Sequence, residues 1–113
     1  MSHRTVCKKY LPTNTGTELK IEVYYSLGGF NFGTYREDPR GYWLSVSPVS
    51  RSEQNGIKCE SFMLFAGLKK FLKETKSDRR GGKAEREAIK LAKQYEAELV
   101  KQVCIKEKVE LAA

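Results

Sequence analysis

Lys83, Arg86, Lys90 and Lys93 recur at intervals of three and four residues, the spacing that sets side chains on one face of an α-helix. Like charges so placed repel, each neighbouring pair costing roughly 0.2–0.5 kcal/mol. A polyanion relieves that repulsion by neutralisation and counterion release. Just upstream, Arg79-Arg80-Gly81-Gly82-Lys83 leads directly into the expected helix. There the free N–H groups of the first turn, the positive end of the helix dipole and three cations would converge on an anion. With Lys73 and Lys76, these residues form the candidate nucleic-acid contact set: Lys73, Lys76, Arg79, Arg80, Lys83, Arg86, Lys90 and Lys93. Lys and Arg are also good helix formers that keep small proteins soluble. A solvated ridge and an interhelical turn with incidental charge are therefore competing readings of the same residues.

A second cluster is aromatic. Seven aromatics fall between Tyr24 and Trp43: Tyr24, Tyr25, Phe30, Phe32, Tyr35, Tyr42 and Trp43. Bases of single-stranded nucleic acid stack on aromatic faces beside cations. This makes Tyr35, Arg36, Arg40 and Trp43 a candidate stacking platform. Strand aromatics also serve as core or cross-strand packing, and the Lys/Arg-Gly-Phe/Tyr-Gly/Ala-Phe RNA-recognition signature is absent. Gly28-Gly29-Phe30-Asn31-Phe32-Gly33 is glycine-rich but opens no helix, which makes it a poor phosphate loop.

Residues for bond-making chemistry are scarce. The single histidine, His3, is expected in a frayed terminus, so Ser-His-Asp and Cys-His catalysis lack their usual base. Cys7, Cys59 and Cys104 are odd in number and lie 52 and 45 residues apart. No pair has the close spacing of a zinc knuckle or redox motif, and they read as reduced, mostly buried thiols. Glu37 and Asp38 are adjacent in a turn, and no acid–base carboxylate pair is visible. The expectation is a non-enzymatic protein without metal or cofactor.

The elements that would carry these residues follow from periodicity. Leu19, Ile21, Val23 and Tyr25 alternate with Lys20, Glu22 and Tyr24, the period of a half-buried strand. Tyr42, Leu44 and Val46 face a core in a second strand, with Trp43, Ser45 and Ser47 opposite and Pro48 marking an edge or the strand's end. Residues 4–11 and 57–65 predict further strands, the latter in a hairpin with 42–49. Leu68, Phe71 and Leu72 have helical spacing and predict a helix over 66–76. A long helix is expected over 83–104, followed by a tail at 105–113 that frays. On a wheel of about 100° per residue, Ala84, Ala88, Leu91, Ala92, Tyr95, Leu99 and Val103 form an apolar stripe. The basic ridge lies opposite, between acidic shoulders, with Glu87–Lys90 and Glu98–Lys101 offsetting part of its charge. Ile89 and Val100 fall off the stripe and either widen the core face or meet a second molecule.

The chain therefore reads as one α+β domain over 1–113: an antiparallel sheet of three to four strands followed by two C-terminal helices, the long one packed on a sheet face. Its 113 residues carry 21 Lys+Arg against 14 Asp+Glu. Residues 69–93 alone hold ten basic and four acidic residues. No apolar run approaches the ~20 residues of a membrane span, and the N-terminus lacks the apolar core of a signal peptide. The expectation is a cytoplasmic protein without membrane contact.

Gly29-Phe30-Asn31-Phe32, Arg40 to Val49 and Phe62 to Lys69 resemble a pattern in small proteins of phages and mobile elements in gut bacteria. The resemblance covers about residues 19–103. That group has no assigned activity and supplies no site residue. The resemblance implies an accessory protein that touches nucleic acid or a host protein. Two functions follow: an accessory protein binding DNA or RNA through the ridge, or a protein–protein interaction module, homodimeric through a sheet edge or the Ile89/Val100 flank. In the second, the ridge serves solubility or an acidic partner.

Overall fold

The structure is a computed structural model and describes residues 3–62 and 67–112. In chain order the elements are β1 (His3–Pro12), β2 (Glu18–Ser26), β3 (Gly29–Asn31), β4 (Arg36–Asp38), β5 (Gly41–Gln54), β6 (Ile57–Phe62), β7 (Leu68–Glu74) and α1 (Lys83–Glu107). β1, β2, β5, β6 and β7 form one antiparallel sheet, and β3 and β4 form a separate two-stranded hairpin. The expected pair of C-terminal helices and sheet of three to four strands is thus corrected. The described residues hold one helix and a larger sheet, and they are mostly β.

β5 organises the sheet. Val49 pairs with Glu18 of β2 and Phe62 of β6, while residues 41–46 pair with both β2 and β7. β6 and β7 therefore share the edge of β5 that β2 does not use, one above the other. Asn55-Gly56, with φ of 53° and 78°, makes the two-residue turn from β5 into β6, the positive-φ pair that matches strand twist. Pro48 does not end β5. It lies between the stretch paired with β7 and the stretch paired with β6, so its missing N–H removes no bond on that edge. Gly41 is required where β5 meets β7: at φ 155°, a Cβ there would stand 2.0 Å from the Lys73 carbonyl oxygen.

Residues 68–74 form a strand instead of the expected helix because their pattern satisfies both periods. Leu68 and Leu72 are four apart, which is one face of a helix and equally one face of a strand. In the sheet, Leu68 pairs with Val46 and Lys70 with Leu44, on the helix-covered side. Lys69 and Phe71 pair with Ser45 and Trp43 on the other side. The free edge of β5 supplied the ladder bonds that local spacing could not foresee. Residues 63–65 of the expected fourth strand and residue 66 of the expected helix lie outside the described residues.

The core lies between the sheet and α1. Leu19, Ile21, Val23, Leu44 and Val46 pack against Ala92, Leu99, Val100 and Val103. Tyr25, Tyr42 and Ala88 extend this layer, the two tyrosine rings meeting edge-on with centroids 5.1 Å apart. Val100 is therefore core, not a flank for a second molecule, and Tyr95, expected on the apolar stripe, is exposed. The C-terminal segment is tied down where fraying was expected. α1 runs on to Glu107, the amide of Asn14 donates to the Glu110 carbonyl, and the amide of Ala112 donates to that of Pro12.

Candidate nucleic-acid interface

α1 has 25 residues and a length of roughly 37 Å at 1.5 Å per residue. Packing of its small-residue stripe against β2 and β5 turns the opposite face outward, so Lys83, Arg86, Lys90 and Lys93 are all exposed. The acidic shoulders decide the electrostatics. Glu85 receives Arg4 of β1 at 3.3 Å, Glu87 receives Lys73 of β7 at 2.7 Å, and Glu96 receives Lys9 of β1 at 2.8 Å. Glu98 accepts from Gln102 at 3.2 Å. The expected intrahelical offsets, Glu87–Lys90 and Glu98–Lys101, are replaced by these contacts. Cations of the sheet thus occupy three carboxylates of the helix. The hydrogen bond from Lys73, its charge and the nearby Lys83 and Arg86 hold the Glu87 carboxyl below its ordinary pKa. Among the described residues, none of the four ridge cations has an ion pair.

The same pairing removes Lys73 from the contact set: its ammonium belongs to Glu87. The others differ from it. Lys76, Arg79, Arg80 and Lys83 are exposed in and beside the connection from β7 to α1. That connection is held by local bonds. Arg4 donates to the Asp78 carbonyl at 2.7 Å, Gly81 N–H donates to Glu85 at 3.1 Å, and Arg86 donates to the Gly81 carbonyl. Gly82 caps the helix in extended conformation, with no side-chain cap, so first-turn N–H groups keep their donor capacity. An open depression of about 430 Å³ lies there, lined in part by Ser77, Arg79 and Lys83.

The stacking platform does not assemble as expected. Trp43 is 8% exposed. Its ring lies 5.0 Å from that of Phe71 and 4.8 Å from the Lys69 ammonium. It faces away from the core, as the alternation predicts, but is covered. Arg40 is exposed but tied to Tyr25, donating to its Oη at 2.6 Å. Tyr35 and Arg36 are exposed on the β3–β4 hairpin, apart from Trp43. Phe30 and Phe32, which sequence reasoning left out of the platform, stand exposed on that hairpin in edge-to-face contact at 4.9 Å. The available signal was the short run between two turn clusters, too brief to reach the core.

The sheet face opposite α1 carries the other polar cluster. It curves enough that Tyr10 of β1 donates to Glu60 of β6 at 2.7 Å, and Lys20 reaches the same carboxylate at 2.9 Å. Burial pushes Glu60 up, but the hydrogen bonds from Tyr10 and Lys20 and the Lys20 charge outweigh it, leaving its pKa below the ordinary value. Tyr24 is pushed up to about 12, by burial first and then by the carboxylates of Glu22 and Asp38. His3 is ordered in β1, not frayed, with Nε2 3.9 Å from Glu22. Thr5 Oγ1 donates to that same carboxylate, so the imidazole does not stand between hydroxyl and carboxylate as it does in a Ser-His-Asp array. Cys7 and Cys59 are exposed and Cys104 is half-buried, against the expectation of mostly buried thiols. Partial burial and the carboxylates of Glu85 and Glu96 push the Cys7 thiol up, opposite to the activated state.

No helix is long and apolar enough to cross a membrane among the described residues. Comparison with protein-family models finds no matching family, and comparisons with curated proteins and with solved structures return no match.

Proposed function

We propose that this chain is a non-enzymatic nucleic-acid-binding protein that holds phosphates with Lys83, Arg86, Lys90 and Lys93 of α1, assisted by Lys76, Arg79 and Arg80. The observation that supports this reading is the division of charge around the helix. Arg4, Lys9 and Lys73 take up the shoulder carboxylates, and among the described residues Lys83, Arg86, Lys90 and Lys93 form no ion pair. Lys83 to Lys93 spans ten residues, about 15 Å of helix axis. Over that distance a duplex presents about nine phosphate charges, more than enough to meet every ridge cation. Such contacts position a nucleic acid without reading its sequence.

The test is fluorescence anisotropy of a labelled 15-base-pair duplex, titrated with protein at several salt concentrations. Four phosphate contacts give a log–log salt slope near −3.6, and seven give one near −6. K83Q/R86Q/K90Q/K93Q should stay folded and lose most of that slope. Affinity and slope unchanged in this variant would remove the proposal.

A further inference from the structure

The β3–β4 hairpin bears an apolar surface that the fold does not use. Phe30 is 46% exposed, Phe32 78% and Tyr35 80%. Two short strands cannot bury these rings between them, and the first turns of α1 cover Tyr25 and Tyr42 at the hairpin root without burying Phe30, Phe32 or Tyr35. Exposed aromatics clustered in this way are costly in water and mark contact surfaces.

The topology puts this hairpin at a particular end of the molecule. β2 ends and β5 begins at its root, β7 ends beside it, and α1 begins after the connection that follows. Thr75 N–H donates to the Arg40 carbonyl at 3.2 Å, Tyr25 Oη donates to the Thr75 carbonyl at 3.0 Å, and Lys69 reaches Asp38 at 3.2 Å. The two bonds to Thr75 tie the hairpin root to the connection bearing Lys76, Arg79 and Arg80, and the Lys69 pair ties the hairpin to β7. Residues 27–40 and 75–83 together carry six cations and three carboxylates, and one of the carboxylates, Asp38, is already paired. Exposed rings beside a net positive surface match a chain of stacked bases with a phosphate backbone, since every base has a π-face and stacking tolerates any sequence. An apolar protein partner would have no use for the cations, and a closed duplex would have no use for the rings.

We infer that Phe30, Phe32 and Tyr35 form a stacking surface for unpaired bases, so that the protein prefers single-stranded nucleic acid while the ridge holds its backbone. This inference rests on the phosphate-binding reading of α1. Tyr35 sits at φ 55°, a conformation asparagine tolerates, so Y35N removes the ring without straining the turn.

The experiment compares wild type, F32A/Y35N and K83Q/R86Q/K90Q/K93Q on labelled 15-nucleotide oligo(dT), 15-nucleotide oligo(U) and a 15-base-pair DNA duplex. Wild type should bind at least one single strand more tightly than duplex, the dT and U arms showing which sugar it takes. F32A/Y35N should lose at least about fivefold per stacked base on single strands and nothing on duplex, with its thermal melt unchanged. Oligo(dT) carrying 5-iodouracil should photo-crosslink to residues 30–35 of the wild-type protein, a readout that does not depend on any variant's folding. Single strand and duplex bound alike, with F32A/Y35N unchanged and crosslinks elsewhere, would overturn the stacking surface and leave the ridge reading standing. Equal loss on all three probes by F32A/Y35N would also overturn it. Absence of wild-type binding to every probe would overturn both readings together.

Discussion

Lys69, Lys70 and Lys73 on β7 belong to the same run of positive charge as Lys83, Arg86, Lys90 and Lys93 on α1, but their circumstances are opposite. Each β7 lysine has a partner in the fold. Lys69 reaches Asp38 and lies over Trp43, Lys70 lies 4.4 Å from the Tyr95 ring centroid, and Lys73 holds Glu87. Lys83, Arg86, Lys90 and Lys93 are exposed and, among the described residues, form no ion pair. The strand is packed on its neighbours and its long side chains lie along apolar and acidic surface. Charge density along a chain therefore says little about charge available to a partner, which depends on what each cation already touches.

The largest expected effect separates the two groups directly. K83Q/R86Q/K90Q/K93Q should weaken binding of a 15-base-pair duplex by more than 100-fold at low salt, with its thermal midpoint little changed, because relief of like-charge repulsion offsets the loss of the Arg86 bond to the Gly81 carbonyl. K69Q/K70Q/K73Q should keep that affinity; an equal loss in both variants would dissolve the distinction.

Comparing Y24F with wild type as the pH is raised probes the sheet face, because the lysines titrate alike in both proteins. Tyr24, beside Lys69 on the open sheet face, has its pKa raised to about 12 from 10.0. A raised folded-state pKa contributes stability that is complete below pH 10 and lost as pH rises toward 12. Two units correspond to no more than about 2.7 kcal/mol, less after solvent screening. Urea unfolding between pH 9 and 12 should show a shallower decline in Y24F than in wild type, and identical slopes would exclude this coupling.

A smaller effect is expected from the β7 variant on stability. Partly exposed ion pairs contribute roughly 0.2–1 kcal/mol each, so K69Q/K70Q/K73Q should lower stability by about 1–2 kcal/mol, measurable as a lower thermal midpoint. The smallest concerns Glu60. Its lowered pKa contributes stability present above the ordinary carboxylate range and lost as pH falls through the folded value. E60Q should flatten the acid side of the stability profile by a few tenths of a kcal/mol, read from urea midpoints between pH 2 and 6.

Much of this arrangement was legible along the chain. The alternation at Leu19–Tyr25 and Tyr42–Ser47 named the strand faces correctly, because a half-buried strand must alternate. The three- and four-residue spacing of Lys83, Arg86, Lys90 and Lys93 named an exposed ridge, because α1 has one stripe to bury and that stripe was elsewhere. Leu68, Phe71 and Leu72 were misread, since an i, i+4 pair fits both helix and strand and only the free edge of β5 distinguishes them. The pairing of the shoulder glutamates was misassigned for a related reason. Neighbours on the helix were visible in sequence, whereas Arg4, Lys9 and Lys73 reach them only once β1 and β7 lie beside α1.

By itself, the sequence determined which residues alternate, which face of the long helix is apolar and where positive charge concentrates. These depend on backbone geometry and on periods of two and 3.6 residues. Tertiary structure alone decided that residues 68–74 complete a sheet, that Trp43 is covered while Phe30, Phe32 and Tyr35 are not, and which cations remain without a counterion. Each of these depends on contacts between residues distant in the chain, whose energies exceed the weak local preferences that any one segment carries.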